Sequence, residues 1–215
     1  MKPAAFILAL ACAASGRGEI IDRVAVSVGN RVITQSDLER EIRVTAFLNA
    51  ATPDLSAANR RATAARMVDQ RLVRRELELS RYPAPAPAEA QDLFAKLTAA
   101  RFPDEAQREA ALARYGVTAQ DVRDALYWQL TFLRFVDVHF RPSVQVTGRE
   151  IRDYFEREVR PAAEAARPGE RPALAQYRDQ IEKTLIGRHV DRALEEWLRE
   201  ARRRTAVEYR EEVFR

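Results

Sequence analysis

The side chains able to carry chemistry are few and scattered. His139 and His189 lie far apart, each in a stretch of helical periodicity with no metal-ligand pattern near it. A satisfied or solvated imidazole is the expected state of both. Cys12, the single cysteine, falls in an N-terminal apolar run, so no thiol nucleophile or metal ligand is expected in the folded part. No glycine-rich loop follows a strand to cradle a phosphate, and no serine sits in a nucleophile elbow. Glu195-Glu196 and Glu211-Glu212 read as solvated faces rather than as an acid–base pair. Arg202-Arg203-Arg204 is the densest basic run, but Glu208, Glu211 and Glu212 follow closely and no aromatic residues interleave to stack bases. The expectation is therefore a chain that is not an enzyme, needs no cofactor or metal and binds no nucleic acid.

What is left to do work is apolar area. Thr118 opens the most apolar helix, about 119–140. At about 100° per residue, Val122, Leu126, Leu130, Leu133, Val136 and Phe140 fall on one stripe. Trp128, Phe132, Phe135 and His139 fall on a second. A helix with two apolar faces either sits between layers of a core or offers one face to a ligand, and both readings of the second stripe stand. Arg134 and Asp137 exclude a membrane span for it.

The elements that must position this helix can be read around it. Of the 215 residues, 47% are hydrophobic and 32% charged, which excludes a disordered chain. Seven glycines are few for a sandwich, a barrel or a phosphate-loop enzyme, so a mainly helical fold is expected. The net charge of +4 is nearly all arginine, the only lysines being Lys2, Lys96 and Lys183, and reads as composition rather than recognition. Ile20–Val28 alternates as a strand, with Val24, Val26 and Val28 on one side. Gly29-Asn30 turns it, and Arg31–Thr34 returns as the second strand of a hairpin. Ser36 and Glu39 form a capping box for a helix to about Ala50, and Pro53 separates it from a long helix at about 56–80. Tyr82–Pro87 is a stiff extended connector, with three prolines that forbid a helix. Helices at about 88–101 and 104–114 follow, the second stopped by Gly116. Thr147 and Glu150 cap a helix to about Arg160, and 161–172 reads as a linker. The last helix, about 173–204, changes its apolar face at Gly187: Leu174, Tyr177, Ile181 and Leu185 precede the change, and Ile186, Val190, Leu194, Trp197 and Ala201 follow it. It either bends there or serves two partners. Residues 206–214 read as a strand, and the N-terminal hairpin is the one sheet available for it to join.

Residues 1–16 have the form of a secretory signal: one positive charge, an apolar run from Ala4 to Ala14, and small residues after it. Ala11-Cys12-Ala13 offers a cleavage site. Leu8-Ala9-Leu10-Ala11-Cys12 is also similar to a lipoprotein box, which makes a lipid anchor at Cys12 the alternative. No later segment could cross a membrane, and an exported protein is expected.

Ile20-Ile-Asp-Arg-Val-Ala-Val-Ser-Val-Gly-Asn-Arg-Val-Ile-Thr-Gln-Ser-Asp-Leu-Glu39 resembles the opening of the mature chain in the SurA-like periplasmic chaperones. Met67–Leu77 resembles that family's second helix, Tyr115–Arg123 one of its helix starts, and Val146–Ile151 a further segment. Ala193–Ala201, followed by Val-Glu-Tyr, is similar to the family's closing end. Relatives carry parvulin-type prolyl isomerase domains where this chain has only residues 161–172, and no parvulin-like segment is present.

The resemblance implies a chaperone core without the isomerase. Residues 19–160 would form a SurA N-terminal-like helical domain that 173–215 completes, its sheet made from both chain ends. It implies a periplasmic holdase that binds unfolded outer-membrane proteins or other exported polypeptides in an apolar groove. Trp128, Phe132 and Phe135 are the candidate wall. The alternative is a structural subunit of an envelope complex, or a companion of a separately encoded prolyl isomerase.

Overall fold

The computed structural model describes residues 22–80, 82–167, 169 and 171–215. The expected signal segment, Cys12 and the first residues of the expected opening strand lie outside these. The fold is mainly helical, with one small three-stranded antiparallel sheet.

Strands β1 (Val24–Val28) and β2 (Arg31–Thr34) form the expected hairpin, and Gly29 takes the left-handed conformation, φ 58°, that the tight turn requires. The third strand, β3 (Val207–Tyr209), comes from the far end of the chain and pairs with β1: Val26 faces Tyr209, Ser27 faces Glu208 and Val28 faces Val207. The strict alternation expected along β1 is interrupted. A bulge between Val24 and Val26 leaves Val24 at the surface and buries Ala25 next to Val26. The strand expected to run to Phe214 stops at Tyr209. Residues Glu211–Phe214 wind into a 3₁₀ turn that puts Val213 and Phe214 under the sheet, against Met67, Val68 and Leu72.

Helix α1 (Gln35–Leu48) starts earlier than expected. Thr34 caps it, its hydroxyl accepting from the Asp37 N–H while the Asp37 carboxylate accepts from the Thr34 N–H. Two overlapping capping patterns stand here. The one that starts on the last extended residue of β2 is used, because a cap needs extended backbone. Ser36 is already inside the first turn and its hydroxyl bonds Asp22 instead. Helix α2 (Ala57–Leu79) is capped by Ser56. Extended residues 82–86 then lead to α3 (Pro87–Arg101) and α4 (Glu105–Tyr115), and Gly116 closes α4 at φ 66°. The Glu89 carboxylate accepts from the Ala86 N–H and from Arg134, at 2.7 and 2.6 Å, pinning the connector and α3 to the next helix.

That helix, α5 (Ala119–His139), is capped by Thr118 and Asp121 and packs on α1, α3 and α4 through Val122 and Leu126. On its other side Trp128, Phe135 and then Phe140 meet Val73 of α2 and Val190 of the last helix.

Helix α6 (Gly148–Tyr154), capped by Thr147 and Glu150, runs into a single wide π turn at Phe155–Val159 and then α7 (Arg160–Ala166). The helix expected to end near Arg160 thus continues six residues into the segment read as linker. Pro161 accounts for both features. It has no N–H for the carbonyl four residues back, so the register widens and the Arg160 N–H reaches Phe155 O. As the second residue of the new helix, Pro161 costs nothing.

Helix α8 (Leu174–Arg203) serves separate partners, one of the two alternatives the sequence left open. Ile181 and Leu185 pack on Ile151 and Phe155, whereas Val190, Leu194 and Trp197 pack on Phe135 and Phe140, and Ala201 reaches the sheet cluster. Among the described residues no helix is long and apolar enough to cross a membrane.

Candidate functional site

Helices α1, α2 and α5 diverge around a cleft of about 320 Å³. Its apolar surface comes from Val44 and Leu48 of α1, Met67 of α2, and Trp128 and Phe132 of α5. The Trp128 and Phe132 rings lie 6.1 Å apart at 43°. Two of the three residues named from the second stripe therefore meet in one cleft.

Phe135 does not join them. It is wholly buried, with ring contacts to Tyr82, Phe140 and Trp197 at 5.3 to 5.6 Å, and it binds α5 to α8. Trp128 is itself only 8% exposed, so little of its ring is open to the cleft. Its face is taken: the Arg74 guanidinium carbon lies 4.0 Å from the ring centre. On the first stripe, Leu133 is 60% exposed, one turn beyond the cleft-lining Gln129 on the same side of α5.

The rim is charged, which apolar periodicity alone did not reveal. Asp37, Arg40 and Glu41 stand on α1, Arg71 and Arg74 on α2, and Asp121 and Asp124 on α5. Met67, Gln70, Arg71 and Arg74 recur at i, i+3, i+4 and i+7, so the sequence does hold a stripe for this wall. It reads as ordinary solvated surface because nothing local says that another helix faces it. Burial pushes the Asp121 carboxyl up, but the Thr118 hydroxyl and N–H and the nearby Arg40 outweigh this and hold it below the ordinary carboxylate range. Burial pushes the Arg74 guanidinium down, with Arg71 adding to the effect and Glu41, Glu78 and Asp124 opposing it.

The remaining chemistry-bearing groups are engaged elsewhere. The Tyr82 hydroxyl bonds His139 Nδ1 in the aromatic cluster. His189 Nε2 lies 3.1 Å from Glu150, joining α8 to the cap of α6. Arg202 pairs with Asp69, and Arg203 and Arg204 both reach Glu200. Among the described residues no three of His, Cys, Asp and Glu gather as metal donors. No protein-family model matches the chain, and no curated protein matches it.

Proposed function

We propose that this chain is a periplasmic holdase without isomerase activity, which grips unfolded segments of outer-membrane proteins or other exported polypeptides in the cleft between α1, α2 and α5. The observation that carries the reading is the meeting of Trp128 and Phe132 in an open cleft beside Val44, Leu48 and Met67. Such a site gains affinity from apolar area and backbone contacts, and it needs no catalytic group. The resemblance to SurA-like chaperones supports the same reading. In the purified protein, a several-fold slowing of the aggregation of a diluted, unfolded β-barrel protein is expected, and Phe132→Gln should remove most of that effect. No slowing at stoichiometric excess overturns the proposal.

A second reading, a structural subunit or isomerase companion, is favoured by Arg74 lying across Trp128, since the cleft is then part filled by the chain itself. Leu79 and Leu133, 75% and 60% exposed, would then be covered by an envelope partner. A stable complex recovered from envelope extracts and lost in Leu133→Gln, with no effect on aggregation, would select it.

A further inference from the structure

The polar groups of the cleft do not balance as hydrogen-bonding partners. Its carboxylates are supplied from within the chain. Asp37 accepts from the Thr34 N–H, Glu41 from Gln70 at 3.3 Å, Asp121 from the Thr118 N–H and hydroxyl at 2.8 and 2.6 Å, and Asp124 from Gln120 at 2.6 Å. Arg40 is shared between Asp37 and Asp121, at 3.5 and 3.8 Å. Arg71 and Arg74 are left over: among the described residues neither finds a hydrogen-bond or ion-pair acceptor, although both line the cleft.

Arg74 is the more constrained of the two. The Trp128 ring gives its guanidinium no hydrogen-bond acceptor, so its N–H donors stay unspent. Glu41, Glu78 and Asp124 favour its charge from a distance, but none bonds it directly, and a ligand that brings an acceptor to a partly buried cation offsets the cost of its burial. Arg71 and Arg74 stand at i and i+3 on α2, neighbours on one face at the spacing one carboxylate can bridge between two guanidinium forks. An aromatic surface lies directly beside them.

Resting on the reading of the cleft as a polypeptide site, we infer that it selects extended segments in which an acidic side chain stands next to an aromatic one. The carboxylate bridges Arg71 and Arg74, and the neighbouring ring lies against Phe132 and the exposed part of Trp128. An unfolded chain offers one terminal carboxylate but many acidic side chains, so the side-chain carboxylate is the ligand. The rim carboxylates disfavour a bare anion here, and the apolar neighbour supplies the area that offsets them.

The test uses the full chain carrying Trp197→Phe, which leaves Trp128 as the sole tryptophan reporter. It is titrated with a short Ser/Gly peptide bearing Glu-Phe at its centre, blocked at both ends, and with its Gln-Phe twin. The Glu peptide should bind about tenfold more tightly, and in the chain with Arg71→Gln and Arg74→Gln that preference should vanish. Should the double variant misfold, the peptide pair on the parent chain still decides the matter. Equal binding of the two peptides overturns the inference and leaves the polypeptide reading standing. A Gln-Phe peptide with a free C-terminus that matches the Glu peptide assigns the contact to chain ends and also overturns it. Failure of every peptide to bind at millimolar concentration removes the polypeptide reading itself, and the inference with it.

Discussion

Arg74 rests its guanidinium carbon 4.0 Å from the centre of the Trp128 ring, joining α2 to α5 across the cleft. The contact is a cation on the face of an aromatic ring in a half-dry place, where such pairs are strongest. It also decides how much of the tryptophan a ligand can reach, because the ring is otherwise packed against the interior.

Replacing Arg74 by Ala should therefore uncover the ring. With Trp197→Phe as background, the Trp128 emission should move to the red, and an apolar dye should bind several-fold more tightly. Stability should change by no more than about 2 kcal/mol, the upper range of a cation–π pair. An unshifted emission spectrum would mean that the ring is sealed by other groups.

Phe132 and Phe135 should behave as opposites. Phe135→Ala opens a cavity in the cluster with Phe140 and Trp197 and should cost about 3–5 kcal/mol by urea unfolding. Phe132 is only half-buried, so Phe132→Ala should cost less than about 2 kcal/mol while weakening client holding. A reversed order of the two losses would contradict this placement.

The closing turn of the chain contributes to the core. Phe214 is buried against β1 and α2, and Phe214→Ala should lower unfolding stability by about 3 kcal/mol. Glu212→Ala, two residues away and exposed, should stay within about 0.5 kcal/mol. Urea midpoints of the two variants check both figures.

Acid should loosen the fold in a defined window. The Thr147 N–H and hydroxyl hold Glu150 below its ordinary 4.5, the Ala86 N–H does the same for Glu89, and Arg61 for Glu211. A carboxyl depressed in the folded state contributes stability that is complete above its unfolded value and is lost as pH falls through the folded one. Urea midpoints should stay level from about pH 7 to 5, as far as these groups control them, and fall below about 4.5. All three groups are solvated, so the fall should be gradual. A midpoint that rises on acidification below that point contradicts the assignment.

Much of the fold is legible because each element carries its own punctuation. Ser56, Thr118 and Thr147 start their helices, and Gly116 ends one in the left-handed conformation. The joining of β3 to β1 followed from the scarcity of other edges rather than from any local signal. Missed features depend on competition between neighbours. Thr34 and Ser36 both match a cap pattern, and the end of β2 chose between them. The π turn arises from the missing N–H of Pro161 in a helix that Phe155 anchors to α8. At the site, the stripe on α5 was visible, but its division between cleft and interior was not. Trp128 and Phe132 face a gap between helices, and Phe135 faces α8, a partner that periodicity cannot name. Arg71 and Arg74 were invisible for the same reason, since their role depends on the helix opposite.

The middle strand of the sheet has one neighbour at hand, across the Gly29 turn, and another that arrives at the opposite end of the chain. Bringing Tyr209 to Val26 closes a loop of nearly the whole protein, a large entropic demand that no local contact repays. Helices α3 to α5 can find one another long before that. The hairpin must therefore wait with one edge bare, and in stopped-flow refolding the packing of Phe214 should be the last event.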